Sequence, residues 1–175
     1  MPAKRFVDAL QGQVAHEFAA MQQYLAIAVW YDAHTLPRLA SFFYDQAMEE
    51  RGHALMMVRY LLDTDQPAPI PGVSEPKCDF SNPKEPVELA LEQEREVSKQ
   101  IAELSQIARD ESDLLSEHFM QWFLKEQVEE VATMSDLLTV MERADDNPLL
   151  AEEFIVRESF GQESADPTAP GPAGG

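Results

Sequence analysis

The chain has 175 residues, of which 32 are acidic and 13 are basic, so its formal net charge is −19. This charge repels nucleic-acid phosphates and anionic lipids, because both are bound mainly through Lys and Arg side chains. Hydrophobic residues make up 45% of the chain, which is too many for an acidic disordered segment. The length suits one domain with a sizeable core. We therefore expect a globular protein whose charged partners are cations, and neither a nucleic acid nor a membrane as a partner.

Targeting features are not evident in the sequence. Charged residues interrupt the apolar runs well before the roughly 20 residues needed to cross a bilayer. Residues 1–13 lack the apolar stretch and the cleavage site of a signal peptide. The chain has one cysteine, Cys78, so we expect neither an internal disulfide nor a cysteine-based metal site. These features predict a soluble, cytoplasmic protein.

Four long segments have apolar residues at helical spacing and show no alternation of period two. They predict helices over residues 4–32, 36–62, 86–109 and 112–143, and a short fifth helix over residues 148–160. Thr35 is expected to be the N-cap of the second helix. Asn147 is expected to be the N-cap of the fifth, with Pro148 at its first helical position.

A proline-rich segment, residues 63–86, separates the second and third helices and contains six prolines. About 24 extended residues span roughly 80 Å at about 3.3 Å each, so this segment can cross a whole bundle and let the two helices run parallel. The other long helices are joined by short connections and should form antiparallel pairs. We predict an all-α four-helix bundle with a short fifth helix over residues 1–160. A flexible tail rich in Pro, Gly and Ala is predicted over residues 161–175.

Polar residues fill the middle of the apolar stripe in each of the four long helices. They are Glu17 in the first helix, Gln46, Glu50 and His53 in the second, Glu94 in the third, and Gln127 and Glu130 in the fourth. In a bundle, positions at mid-length converge at one height. Buried carboxylates repel one another and are costly to desolvate. Either some of them stay protonated, or a multivalent cation neutralises them.

The donor types favour a metal site. Glu50 and His53 are three residues apart, so they share one helix face. A set of oxygen donors with one imidazole suits Fe(II), Mn(II) or Zn(II). Carboxylates on facing helices, together with a Glu-x-x-His pair, are typical of di-iron helical bundles. The other three histidines lie outside the stripes and are expected at the surface or in packing: His16, His34 and His118.

Several segments, together with Glu94, resemble the non-haem bacterial ferritins. They are His16-Glu17-Phe18 with Tyr24, residues 46–54, and residues 121–130. The resemblance covers about residues 5–160 in order and is nearest to the actinobacterial type. It implies the ferritin-like bundle with a long crossover between helices two and three, and a hollow shell of 24 subunits with 432 symmetry.

The resemblance also implies a di-iron ferroxidase centre within each subunit. One iron would be held by Glu17, Glu50 and His53, and the second by Glu50 as a bridge, Glu94 and Glu130. Catalytic roles are implied for Tyr24, which would lie beside the centre, and for Gln127, which would donate a hydrogen bond or position water. The implied substrates are Fe(II) and either O₂ or H₂O₂, and the implied product is a ferric oxy-hydroxide mineral stored inside the shell.

A third iron position is implied by the match of three further glutamates: Glu49, Glu126 and Glu129. Glu130 would be shared with this site. The spacing agrees, because residues three and four apart lie on one helix face. An ordinary solvated helix face is the alternative interpretation of these three acids.

The sequence differs from related ferritin patterns at positions that concern haem binding and the threefold channel. Haem-containing bacterioferritins have a methionine between the Glu and the His of helix two, where this chain has Arg51 and Gly52. We therefore expect iron and no haem. We interpret Gly52 as permitting the close approach of another helix. At the threefold channel of ferritins, Glu117 matches one acidic position, whereas Met120 stands at another.

Three alternatives remain open. A non-storing di-iron peroxidase or oxidase of the rubrerythrin type would need a second Glu-x-x-His motif. A DNA-protecting mini-ferritin would build its site between subunits and would lack the fifth helix. A purely structural bundle would keep its buried acids protonated. The pattern favours an iron-storing ferroxidase over all three.

Overall fold

The computed structural model describes residues 1–145, 147–158, 160–161 and 166–174. Within these ranges the chain forms five α-helices and no strand. They are α1 (Lys4–Ala33), α2 (Pro37–Asp63), α3 (Glu85–Asp110), α4 (Leu114–Arg143) and α5 (Leu149–Arg157). The predicted all-α class is confirmed. The largest differences from the predicted bounds are at the start of α4 and the end of α5.

The segment between α2 and α3 runs along α1. Near one end of the bundle, Gln11 Nε2 donates a hydrogen bond to the carbonyl oxygen of Pro67 at 2.7 Å. Near the other end, Tyr31 Oη donates to the carbonyl oxygen of Pro83 at 2.6 Å. The segment therefore advances in the same direction as α1 and carries the chain back to the end where α2 begins. This is the predicted crossover, and it makes α2 and α3 parallel.

The helices enclose two apolar clusters at different heights. α1 packs against α2 and α3, α3 packs against α4, and α5 rests on α2 and α4. One cluster includes Tyr24, Ile27, Phe43, Leu91 and Met134. The other includes Val14, Met57, Val97, Met120 and Phe123. In each long helix the predicted polar positions fall between residues of these two clusters, so a polar layer crosses the bundle at mid-height.

The predicted N-cap of α2 is wrong. Thr35 has φ = 60°, in the left-handed region, and the cap position belongs to Leu36, whose side chain offers no acceptor. The acceptor comes from α5, where Glu152 Oε1 accepts from the backbone nitrogens of Arg38 and Leu39, each at 2.8 Å. A distant carboxylate therefore caps this helix.

The N-cap of α5 is shifted by one residue from the prediction. The cap position is Pro148. Asn147 still contributes, because its Oδ1 accepts from the backbone nitrogen of Leu149 at 3.3 Å.

The described part of the C-terminal tail lies along α2 and α4. Asp166 Oδ2 accepts from Trp122 Nε1 at 3.2 Å and from Lys125 Nζ at 3.1 Å. The backbone nitrogen of Ala173 donates to the carbonyl oxygen of Leu55 at 3.0 Å.

None of the helices in the described ranges has the length and apolar character needed to cross a membrane.

Candidate metal centre

The polar layer brings carboxylates from all four long helices into the interior. Glu17 and Glu50 are each 1% exposed, Glu130 is 2% exposed and Glu94 is fully buried. His53 is buried beside Glu50, one helical turn further along α2. Each helix presents its acid on the face that also carries its apolar stripe, so burial of the stripe forces burial of the acid.

One group of metal-binding side chains consists of Glu17, Glu50 and His53. One ligand atom from each lies within 4.8 Å of the others. His53 Nδ1 is 3.2 Å from Glu50 Oε2. Glu17 Oε2 is buried and has no hydrogen-bond partner. These are the three residues expected to hold one iron, and the structure brings them together.

A second group contains Glu49, His53, Glu126 and Glu130, again with one ligand atom from each within 4.8 Å of the others. Glu130 Oε1 is buried without a hydrogen-bond partner. Gln46 Nε2 donates to Glu49 Oε2 at 2.8 Å. This group contains three of the four acids that were expected at the third iron position.

Glu129, the remaining acid of the expected third position, lies outside both groups. Its side chain is 49% exposed and its Oε1 is 3.7 Å from Lys125 Nζ. At this separation and exposure the pair contributes little to stability.

Glu94 lies outside both groups as well, and hydrogen bonds hold it. Tyr24 Oη donates to Glu94 Oε1. Gln127 Nε2 is 3.5 Å from Glu94 Oε2, a long contact. Ser98 Oγ is 2.9 Å from Gln127 Oε1 and donates to it. The structure thus places both expected catalytic residues, Tyr24 and Gln127, against the same carboxylate.

Burial governs the protonation of these acids. Desolvation raises the pKa of Glu50 well above its usual value of 4.5, and the negative charges of Glu94 and Glu17 raise it further. Burial also raises the pKa of Glu130, with Glu49 as the next contributor. Burial raises the pKa of Glu94, although the Tyr24 hydrogen bond opposes that shift. A cation bound in this layer therefore has to displace protons.

Tyr24 remains a phenol at neutral pH. Burial, followed by the charge of Glu94, raises the pKa of Tyr24 well above its usual value of 10.0. The neutral hydroxyl acts as a hydrogen-bond donor to Glu94.

The donor set fits a divalent transition metal. It offers several carboxylates and one imidazole, a combination suited to iron, manganese or zinc. Buried polar atoms normally have partners, yet Glu17 and Glu130 each keep one buried oxygen without a partner. A metal ion would satisfy both oxygens.

Two hydrogen-bonding residues of the layer, Gln13 and Ser98, were not predicted from the sequence. Gln13 is buried at 3% exposure, and its Nε2 donates to Glu17 Oε1 at 2.8 Å. Ser98 orients Gln127, as described above. Helical spacing indicates both residues, because Gln13 precedes Glu17 by four residues and Ser98 follows Glu94 by four. Residues four apart lie on the same helix face.

Two sequence interpretations are corrected. A Cβ atom added to Gly52 would meet no atom within 4 Å, so this glycine does not serve a close helix approach within the subunit. Met120 is fully buried in the apolar core, so its side chain packs inside the bundle and does not line a channel.

Four long helices, a crossover that makes α2 and α3 parallel, and a buried layer of carboxylates with one histidine define the class of ferritin-like bundles. The Ferritin-like domain family matches residues 7–144. The chain therefore belongs to the ferritin family.

Two relatives and one solved structure agree with this assignment. The "Ferritin BfrB" of Mycolicibacterium smegmatis is 52% identical over 172 residues, covering 98% of this chain and 94% of that protein. The "Bacterial non-heme ferritin" of Staphylococcus aureus is 37% identical, covering 93% and 100%. An open pore ferritin from Archaeoglobus fulgidus superimposes with a TM-score of 0.84 at 25% identity, covering 93% of this chain and 99% of that one. The predicted resemblance to non-haem bacterial ferritins is confirmed.

Proposed function

We propose that this protein is an iron-storing ferroxidase. It oxidises Fe(II) with O₂ or H₂O₂ at a di-iron centre inside each subunit and deposits a ferric oxy-hydroxide mineral in a hollow shell of 24 subunits with 432 symmetry. The observation that carries the proposal is the buried group of Glu17, Glu50 and His53, in a chain of the ferritin family. Iron is the substrate of this reaction.

The layer supplies the ligands of two irons. Glu17, Glu50 and His53 hold one iron, while Glu50 bridges to the second, which Glu94 and Glu130 complete. Carboxylates stabilise Fe(III) more than Fe(II), because the attraction grows with the charge of the ion. Two irons give up one electron each. With two protons, these electrons reduce O₂ to H₂O₂, or H₂O₂ to two waters.

Two neighbouring side chains hold Glu94, and a second group of acids lies beside the centre. Tyr24 donates a hydrogen bond to Glu94 and favours its ionised form. Gln127 approaches the other oxygen of the same carboxylate. Glu49 and Glu126, with Glu130 shared, supply the third iron position, and the exposed Glu129 lies outside it. The half-buried member of this set is Glu49.

Aerobic addition of Fe(II) to the purified protein tests storage. We expect a large particle that retains well over three irons per subunit, measured by the mass of the assembly and its iron content. Iron oxidation without retention would instead identify a non-storing oxidase of the rubrerythrin type. Neither oxidation nor retention would leave only a structural bundle.

Substitution tests the site. Glu50→Ala and His53→Ala should each lower the initial rate of Fe(II) oxidation more than about tenfold, because even residues that only support metal ligands contribute 10–100-fold. Exposed residues offer matched controls, Glu103→Ala and His34→Ala, which should oxidise iron at the normal rate. Normal initial rates in both site variants, with the assembly intact, would refute the assignment.

A further inference from the structure

The side chain of Gln13 is buried in α1 at 3% exposure, beside the metal centre. It precedes Glu17 by one helical turn, so both side chains lie on the same face of α1. A buried amide is retained only where its hydrogen bonds are satisfied, because an unpaired amide in the interior is costly. The partners of Gln13 therefore indicate what this amide does.

The amide nitrogen of Gln13 connects two helices. Gln13 Nε2 donates to Glu17 Oε1 at 2.8 Å and to Gln100 Oε1, on α3, at 3.2 Å. On the other side of the amide, Gln13 Oε1 is 3.4 Å from His16 Nδ1. Rotating the amide by 180° would place its oxygen against a carboxylate oxygen of Glu17. The neighbours therefore fix its orientation, with the NH₂ group towards Glu17.

The two carboxylate oxygens of Glu17 differ in their hydrogen bonding. Oε1 accepts the hydrogen bond from Gln13, whereas Oε2 is buried without a partner. A carboxylate held at one oxygen has a restricted side-chain torsion, so its second oxygen is offered from a fixed position. Gln100 extends the restraint to α3, which keeps the α1 ligand in register with the opposite helix.

We propose that Gln13 is the positioning residue for Glu17 and directs Glu17 Oε2 towards the first metal ion. This inference rests on the proposed metal centre and deepens it. On the opposite side of the layer, Gln127 approaches Glu94, but at 3.5 Å. The Gln13 contact is the shorter of these two amide–carboxylate contacts.

The test uses the full chain and Co(II) without oxygen, since Co(II) is a divalent first-row metal that such donors bind and its visible spectrum reports ligand geometry. Gln13→Met keeps the length of the side chain and removes its hydrogen bonds. We expect this variant to bind the first Co(II) about 10–100-fold more weakly, with a changed spectrum, as for other residues that orient metal ligands.

A second variant and a matched control accompany this measurement. Gln13→Leu also removes the hydrogen bond to Glu17 Oε1 and should weaken the first Co(II) as well, which keeps the proposal testable if Gln13→Met fails to fold. Gln23→Met is the control on the same helix, because the Gln23 amide bonds the main chain of Lys77 instead of a carboxylate. Its Co(II) affinity and spectrum should equal those of the unsubstituted chain.

The possible outcomes distinguish failure of the proposed role of Gln13 from failure of the proposed metal centre. If the unsubstituted chain binds Co(II) and a folded Gln13 variant binds it with the same affinity and spectrum, Gln13 does not position Glu17 and the proposed centre stands. If the unsubstituted chain binds no Co(II), the proposed centre fails together with this inference. Circular dichroism of each metal-free variant establishes that it is folded.

Discussion

Burial gives Glu50 and Glu130 an acid–base behaviour opposite to that of a salt-bridged surface carboxylate. Their pKa values lie well above 4.5 in the folded chain, whereas in the unfolded chain they return to ordinary values. Between the unfolded and folded pKa values the native state therefore binds more protons than the unfolded state. Stability must fall as pH rises through that interval.

We predict that the free energy of unfolding of the metal-free protein declines from about pH 4.5 upwards. Zn(II) should raise the unfolding midpoint more at pH 7 than at pH 5, because it competes with bound protons. Glu50→Gln removes a carboxyl group that must take up a proton on folding, so it should stabilise the metal-free protein at neutral pH and flatten the decline. Denaturant titrations at several pH values measure this. The exposed control Glu103→Gln should leave the slope unchanged, and an equal slope in the Glu50 variant would contradict the prediction.

The metal-binding glutamates could be predicted because a charged residue inside an apolar stripe is visible in one helix at a time. Gln13 could not be assigned in this way, since its second partner, Gln100, lies on another helix. The positions of Glu126 and Glu129 relative to the centre also required the fold. Glu126 is buried in the second group, whereas Glu129, three residues later, faces Lys125 and solvent.

At the scale of elements, α5 provides the carboxylate that caps the amino terminus of α2. Glu152 reaches the exposed amino end of α2 and accepts from two of its backbone nitrogens, 2.8 Å away in each case. A helix amino terminus carries unsatisfied N–H groups and a partial positive charge. The carboxylate therefore satisfies two donors, complements the helix dipole and holds α5 against α2.

Glu152→Ala should lower the free energy of unfolding by about 0.5–2 kcal/mol, the range measured when N-capping acceptors are removed. Glu153→Ala is a matched control, because Glu153 is the exposed neighbour on the same helix and its loss should have little effect. Chemical denaturation of both variants gives the comparison. Equal stabilities would indicate that the α2 amino terminus is satisfied without Glu152.

The long helices and the crossover were predictable from the sequence, whereas the start of α2 was not. Apolar periodicity and proline density are local properties, and they gave the helix positions closely. Thr35 satisfies the local rule for an N-cap, yet its positive φ belongs to the turn between α1 and α2. The residue that caps α2 lies more than one hundred positions away, at Glu152, where no local rule can find it.

At the scale of the whole molecule, the excess of acids has two distinct parts. Among the described residues, six glutamates are buried: Glu17, Glu50, Glu94, Glu126, Glu130 and Glu152. Five of them belong to the polar layer and one caps α2. Most of the other acids of the chain are exposed or half-buried and give the surface a negative potential that attracts cations.

Truncation of the chain tests the predicted boundary between the helical bundle, residues 1–160, and the C-terminal tail, residues 161–175. Both metal groups lie between residues 17 and 130, so a chain ending at residue 160 should keep the helicity and the Co(II) affinity of the full chain. Removal of Asp166 takes a carboxylate partner from Trp122 and should shift tryptophan emission to longer wavelength, because water reaches the indole. Asp166→Asn in the full chain is the control, since it weakens this contact while the tail remains. A truncated chain that loses helicity or metal affinity would place the tail within the folded domain.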